Sequence, residues 1–192
     1  YMFITDNKSL NYSKKTRQKK NIRFLILHYT GMQSARVSLN RLKNPKSKVS
    51  CHYFIERNGK VCRMVEDNKI AWHAGKSKWK HFNNLNKYSI GIEIQNKGHL
   101  IKYQNFTKKQ IASLVKLIKK LLKKYKIKKK NVLGHSDIAP LRKLDPGEKF
   151  PWKFLSKKGA ANWYRKHKDK KFDYDLKTKR KIFFKNIYKM GY

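Results

Sequence analysis

The strongest constraint on the fold is the run IRFLILHY at residues 22–29. The run is almost continuously apolar and has the length of a strand, in a chain of which 32% of the residues are charged. Such a strand is covered by protein on both faces, so it is expected at the centre of a β-sheet. His28 stands near the end of the run and is therefore expected at the end of a buried strand.

Helices and further strands are predicted after this run. Residues 34–42 are expected to form a short helix, and residues 90–95 (IGIEIQ) a strand in which Glu93 faces away from its apolar neighbours. Residues 107–125 repeat apolar side chains at helical spacing after a Thr-x-x-Gln capping box. A short strand is expected at residues 131–134. The alternation predicts an α/β fold with a central mixed β-sheet flanked by α-helices.

The dipeptide Asn58-Gly59 predicts a β-hairpin between two apolar-rich segments. A two-residue turn would place Ile55 opposite Cys62. In that register Cys51 lies too far from Cys62 to form a disulfide. Cysteine usage therefore leaves the cellular compartment open.

Domain organisation is expected to be simple, because 192 residues suffice for one sizeable core. Residues 1–20 are polar and without periodicity, which predicts a loose N-terminal arm. Residues 156–192 form a basic C-terminal extension with a helix expected at 176–188. The sequence contains no apolar run long enough for a membrane span and no visible signal peptide, although a signal peptide could already have been removed.

The formal net charge of +39 would attract polyanions, including nucleic acid, anionic membranes and acidic cell-wall polymers. The lysines are spread over every segment, which is typical of a compositional bias and not of one binding patch. A nucleic-acid-binding protein needs a basic groove with interleaved stacking aromatics. The aromatics of this chain lie mostly in predicted strands and in the motifs described below, so no specific nucleic-acid partner is expected.

The segment VLGHSDIAPLRKLDPG follows a predicted strand and contains His135 and Asp145. A catalytic zinc site needs three protein ligands and an open fourth position. His28 would complete such a set, because strand ends at one edge of a sheet bring distant residues together. Turn formation before Pro146-Gly147 and structural histidines at strand ends are equally compatible with the spacing. Spacing alone therefore leaves the metal site open.

Five motifs in order carry a resemblance to a known family: FLILHYTGM, VSCHYFIERNGK, IAWHAGKSKW, NKYSIGIEI and GHSDIAPLRKLDPG. They resemble the zinc-dependent N-acetylmuramoyl-L-alanine amidases of the type 2 amidase family. The similarity is closest to the AmpD and AmiD branch, AmiD above all, within the wider fold of peptidoglycan-recognition proteins and T7 lysozyme. It covers about residues 21–155 and implies one zinc amidase catalytic domain there.

The resemblance also implies the roles of the site residues. His28, His135 and Asp145 match the zinc ligands. Glu93 matches the general base that later acts as an acid, and Lys143 matches the lysine that stabilises the oxyanion. Zn²⁺ is accordingly the expected cofactor.

Further positions follow from the same motifs. Arg142 would hold a carboxylate of the substrate's stem peptide, and Trp72 and His73 would border the cleft. Asn86, at the start of NKYSIGIEI, is also assigned to substrate binding. Asp137 is expected to support the metal-binding loop.

The implied reaction is hydrolysis of the amide between N-acetylmuramic acid, or its 1,6-anhydro form, and L-alanine of the stem peptide. The partner would be peptidoglycan or a muropeptide. The alternative is a non-catalytic peptidoglycan-recognition module, which would be expected to lack a zinc ligand. A periplasmic or envelope-associated location is expected, with the cytoplasm as the alternative. The C-terminal extension resembles the entry to a peptidoglycan-binding domain.

Overall fold

The computed structural model describes residues 4–163 and 175–190. Its strands are β1 Ile4–Asp6, β2 Tyr12–Thr16, β3 Phe24–Tyr29, β4 Tyr53–Ile55, β5 Val61–Arg63, β6 Lys69–Ala71, β7 Lys78–Trp79, β8 Phe82–Asn83, β9 Ser89–Ile94 and β10 Val132–Gly134. Its α-helices are α1 Ala35–Lys43, α2 Lys108–Tyr125, α3 His135–Ile138, α4 Trp152–Lys157 and α5 Leu176–Met190. Within the described residues, no helix is both long and apolar enough to cross a membrane.

A six-stranded mixed sheet forms the centre, in the order β1-β5-β4-β9-β3-β10. Strands β4, β9, β3 and β10 run parallel, β5 is antiparallel to β4, and β1 is parallel to β5. Strand β3 lies between two partners, and the side chains of Leu25, Ile26 and Leu27 are fully buried. The predictions of a central strand and of a mixed sheet are therefore confirmed.

Alternate residues of β3 feed two different core clusters. Leu25 and Leu27 pack with the apolar side of α2, whereas Phe24 and Ile26 pack in a smaller cluster on the other face. Helix α2 has the predicted capping box at its N-terminus. Each fully buried leucine contributes about 2 kcal/mol to the stability of this packing. His28 is the next residue after Phe24 and Ile26 in this alternation, so its side chain also faces away from α2.

The expectation of a loose N-terminal arm is wrong for residues 4–17. Strand β1 pairs with β5, and β2 pairs with β6. Ser9, Asn11 and Arg17 are buried. The amide nitrogen of Asn11 donates to the carbonyl oxygens of Leu42 and Val49, at 3.2 and 2.9 Å. The segment is held by paired polar groups, which hydrophobic periodicity does not reveal.

The hairpin between β4 and β5 exists, but its predicted register is wrong by one residue. Ile55 pairs with Val61 instead of Cys62. The turn holds one more residue than a two-residue loop, and Gly59 adopts a φ of 88°, which favours glycine. Cys51 and Cys62 are free, as predicted, although both belong to one small buried cluster.

At the C-terminal end, α5 confirms the helix expected at residues 176–188. The catalytic-domain boundary at residue 155 remains a prediction. Helix α4 spans this position, and Leu155 within it is fully buried in the main core. Residues 164–174 of the expected extension lie outside the described residues.

Candidate metal and catalytic site

Three adjacent parallel strands carry the site at their carboxyl ends. His28 and Glu93 each precede the last residue of their strands, and they are direct partners in the pairing of β3 with β9. On the other side of β3, Leu27 pairs with Gly134, the last residue of β10, so His135 follows immediately after that strand. This edge is where parallel strands place distant side chains together.

His28, His135 and Asp145 converge on one point, and all three are buried. The Nδ1 atoms of His28 and His135 lie 3.0 Å apart. The Oδ2 atom of Asp145 lies 3.0 Å from the first of them and 3.1 Å from the second. The three atoms thus form a nearly equilateral triangle, which is the shape of one face of a small tetrahedral site.

The chemistry of this donor set fits a zinc ion. The Nε2 atom of His135 lies 3.0 Å from the carbonyl oxygen of Ala74, which can only accept a hydrogen bond. The Nε2 atom therefore carries the hydrogen, and Nδ1 presents its lone pair to the centre. Burial, followed by the nearby His135, lowers the pKa of His28 to about 4, which keeps that ring neutral. Two imidazole nitrogens and one carboxylate oxygen are a ligand set that catalytic zinc accepts.

Asp145 enters the site on a loop that is tied back to α3. The N–H of Ser136 donates to the carbonyl oxygen of Asp145 at 2.9 Å. Burial raises the pKa of Asp145, but the neighbouring side chains of His135 and His28 outweigh it and leave the pKa lowered. Asp137 accepts a hydrogen bond from the N–H of Gly134 at 2.7 Å and so caps the start of α3, where His135 stands.

Glu93 lies beside this triangle and its carboxylate is poorly solvated. Its Oε2 atom is buried and has no hydrogen-bond partner among the described residues. Burial raises the pKa of Glu93 well above its ordinary value, and Asp145 raises it further, whereas Lys143 lowers it. A carboxylate with a raised pKa is suited to accept and return a proton near neutral pH.

The triangle and Glu93 open into a cleft of about 470 Å³. Lys143 and Arg142 line the cleft on the side of the Asp145 loop. Apolar side chains from the end of β3, the loops after β3 and β9 and the end of α1 also line it, among them Tyr29, Met32, Leu42 and Leu100. The cleft therefore combines apolar surface with a few polar and charged groups, as is usual for ligand-binding clefts.

The four residues assigned to substrate binding occupy different positions. Trp72 lines the cleft, and its indole nitrogen donates to Ser13. Arg142 also lines the cleft, and its Nη2 atom donates to the carbonyl oxygens of Ala74 and Lys76. One guanidinium nitrogen is thus engaged by the neighbouring loop.

His73 borders the cleft as expected, but it and Asn86 are also hydrogen-bonded within the protein. Both ring nitrogens of His73 face protein groups, namely His28 at 3.1 Å and Ser89 at 3.2 Å. Asn86 is absent from the cleft lining, and its side-chain oxygen accepts the N–H groups of His73 and Ala74. The use of these two residues as substrate contacts stays a prediction, and the ring nitrogens of His73 and the side-chain oxygen of Asn86 are already paired within the protein.

Sequence reasoning missed Arg17, which lies behind the site and is 7% exposed. Its guanidinium donates to the carbonyl oxygens of Asp67, Asn86 and Ser89, the last at 2.6 Å. It also contacts the Nε2 atom of His52 at 2.8 Å. No sequence signal identified it, because it stands in the basic segment KKTRQKK.

Comparisons with known proteins identify relatives of the chain. A family model described as N-acetylmuramoyl-L-alanine amidase matches residues 18–148. The N-acetylmuramoyl-L-alanine amidase AmiD of Escherichia coli (strain K12) is 40% identical over 154 residues. That match covers 74% of this chain and 55% of AmiD, so the chain spans little more than half of that relative's length.

Two solved structures share the fold. AmpDh3 from Pseudomonas aeruginosa superposes with a TM-score of 0.80 at 33% identity, covering 94% of this chain and 78% of that one. The complex of E. coli AmiD with the substrate anhydro-N-acetylmuramic acid-L-Ala-D-gamma-Glu-L-Lys gives a TM-score of 0.77 at 30% identity, covering 94% and 74%.

Proposed function

We propose, since the chain belongs to the N-acetylmuramoyl-L-alanine amidase family, that it hydrolyses the amide bond between N-acetylmuramic acid and L-alanine of the stem peptide. The observation that carries the proposal is the convergence of His28, His135 and Asp145 beside a poorly solvated Glu93. A recognition module has no need of this combination, because binding requires neither a metal-ligand triangle nor a proton carrier.

His28, His135 and Asp145 would hold a zinc ion through two Nδ1 atoms and one carboxylate oxygen. When bound, zinc supplies a Lewis acid that polarises a carbonyl group and makes water more acidic. The protein contributes by holding the three donor atoms about 3 Å apart before any ion arrives. It also keeps the imidazole of His28 neutral, as a ligand must be.

Glu93 would move the proton. Its carboxylate takes a proton from the water that attacks the carbonyl carbon, and it returns that proton to the departing nitrogen of L-alanine. An amide nitrogen is a poor leaving group until it is protonated, so both transfers are needed. The raised pKa of Glu93 suits this double task, because a carboxylate of ordinary pKa is a weaker base and would take up the proton less readily at neutral pH.

Lys143 and Arg142 would bind negative charge in the same cleft. The ammonium group of Lys143 would stabilise the charge that develops on the carbonyl oxygen during attack. The guanidinium of Arg142 is partly engaged by the Ala74 and Lys76 carbonyl oxygens. It would present its remaining nitrogens to a carboxylate of the stem peptide.

The proposed substrate is a muropeptide, in the normal or the 1,6-anhydro form of the sugar. The anhydro form is supported by the substrate named in the AmiD complex. We further propose that the protein acts on the envelope side of the cell, where acidic wall polymers would attract a chain with a net charge of +39. The cytoplasm is the alternative, and no sequence-selective nucleic-acid binding is proposed.

The test is mass spectrometry of products from 1,6-anhydro-N-acetylmuramyl-L-Ala-D-γ-Glu-L-Lys and, separately, from whole sacculi. From the anhydromuropeptide we expect the free sugar and the intact peptide, with a combined mass larger than that of the substrate by one water. The Glu93→Gln variant serves as the control for contaminating hydrolases. If the zinc-loaded protein binds sacculi but releases no peptide from either material, the non-catalytic alternative is correct.

A further inference from the structure

His73 lies between a metal-site histidine and the interior of the protein. Its Nδ1 atom is 3.1 Å from Nε2 of His28, and its Nε2 atom is 3.2 Å from Oγ of Ser89. Ser89 in turn donates its hydroxyl hydrogen to the carbonyl oxygen of Leu85 at 2.6 Å. The four groups form one continuous chain of hydrogen bonds that ends at a backbone carbonyl.

The carbonyl at the end of the chain determines the direction of every bond in it. A carbonyl oxygen only accepts, so the single hydroxyl hydrogen of Ser89 is used there. The oxygen of Ser89 must then accept from Nε2–H of His73, which leaves Nδ1 of His73 as an acceptor. That atom can only accept from Nε2–H of His28. The Nδ1 atom of His28 is consequently free of hydrogen and presents its lone pair to the metal site.

We infer that His73 and Ser89 are positioning residues that set the tautomer of His28, so that its Nδ1 atom is ready to bind the metal before the ion arrives. The inference deepens the proposed function and rests on the role of His28 as a metal ligand. His135 is held in the same tautomer without a relay, because its Nε2 atom contacts the carbonyl oxygen of Ala74 directly. The two ligand histidines thus reach the same state by different routes.

The surrounding structure holds the ring of His73 in place. Gly91 of β9 lies against it, and a Cβ atom at Gly91 would come within 2.3 Å of the His73 ring. The missing side chain therefore creates the space that the ring occupies. On the other side, the backbone N–H of His73 donates to Asn86 at 3.1 Å. These contacts fix the ring independently of any ligand.

The test compares His73→Gln with His73→Met in the full-length protein, because the two side chains are similar in size and only glutamine offers a strong acceptor to His28. Zinc affinity is measured by competition with a chromogenic chelator. We expect His73→Met to bind zinc about 10- to 100-fold more weakly, the range found when partners of metal ligands are removed. His73→Gln is expected to remain within about threefold of the wild type.

A second measurement reads the tautomer itself and does not depend on catalysis. Long-range ¹H–¹⁵N correlation spectra of the zinc-free wild-type protein should show hydrogen on Nε2 of both His28 and His73, with assignment by single substitution of each ring. In His73→Met, the His28 signals should change to a mixture of tautomers. Hydrogen on Nδ1 of either ring in the wild type would overturn the inference, as would unchanged zinc affinity in His73→Met.

These readouts separate the inference from the proposed function. If the relay is correct and the amidase assignment is wrong, the tautomer and zinc results hold although no peptide is released. If the amidase assignment is correct and the relay is wrong, peptide is released while His73→Met binds zinc like the wild type. Should His73→Met fail to fold, the wild-type spectrum and Ser89→Ala still decide the matter. Ser89→Ala removes the acceptor for His73 and should likewise mix the tautomers of His28.

Discussion

His28 and Glu93 face each other as direct partners on adjacent parallel strands. The pairing puts a metal-site nitrogen donor and an unpaired carboxylate on the same edge of one rigid sheet. Their roles differ because His28 points its Nδ1 atom at His135 and Asp145, whereas Oε2 of Glu93 has no partner among the described residues. The backbone of the sheet thus sets the distance between metal ligand and proton carrier.

Glu93→Gln should remove proton transfer and leave the metal site intact. We expect turnover of the anhydromuropeptide to fall about 100-fold or more, as is typical for loss of a general acid-base group. Zinc content should stay near that of the wild type, measured by elemental analysis of the same preparation. Loss of zinc in this variant, or turnover at the wild-type rate, would show that Glu93 has been given the wrong role.

Asp145→Ala should behave in the opposite way, because it removes one of three proposed ligands. Zinc affinity should fall, and activity should recover in part when excess zinc is supplied. The measurement is peptide release as a function of free zinc, with Glu93→Gln as the comparison, since added zinc cannot replace a missing proton carrier. Full zinc retention by Asp145→Ala would contradict the ligand assignment.

Arg17→Met should destabilise the protein by about 3 kcal/mol, because several buried hydrogen bonds from a charged donor are lost together. The carbonyl oxygens of Asp67, Asn86 and Ser89 would be left without this partner. Urea unfolding measures the effect. Arg23→Met is the matched control, because Arg23 is exposed and a change there should cost less than about 0.5 kcal/mol. Equal unfolding midpoints for the two variants would exclude a bracing role for Arg17.

Lowering the pH should destabilise the zinc-free protein in part through His52. Burial, and then the charge of Arg17, lower the pKa of His52 from 6.5 to about 3. The unfolded chain therefore takes up a proton as the pH falls below 6.5, while the folded protein does not, so stability is lost between about pH 6.5 and 3. The His52 contribution to the slope is about 1.4 kcal/mol per pH unit.

The matched measurement is urea unfolding of wild type and His52→Gln at pH 7.5 and 5.0, with a chelator present throughout. Between these pH values the wild type should lose about 2 kcal/mol more than the variant, by the same linkage. The remaining buried histidines affect both proteins alike. Parallel pH dependence of the two proteins would mean that His52 is not kept neutral by the fold.

Apolar periodicity predicted those parts of the fold that depend on burying apolar side chains. Strand β3 follows from its continuous apolar run, and helix α2 from its apolar face and polar reverse. The hairpin turn was wrong by one residue, since Asn58-Gly59 marks a turn without determining how many residues it contains.

The hydrogen-bond partners of polar side chains were the part of the site that the sequence did not predict. His28, His135 and Asp145 were identified from motif resemblance, and the structure brings them together. The partners of His73 and Asn86 were missed, because a side chain hydrogen-bonded to a distant loop leaves no periodic trace in the sequence. The N-terminal strands were missed for the same reason.

The N-terminal strands also bear on which fragment of the chain can fold when it is produced alone. A fragment cut to begin at residue 18 would lose the guanidinium beneath the Asn86–Ser89 turn and the two strands that cover β5 and β6. A fragment cut to end at residue 148 would expose the core side chains beneath Leu155. We therefore expect the smallest autonomous folding unit to extend from about residue 4 to about residue 161, beyond the limits within which the site residues lie.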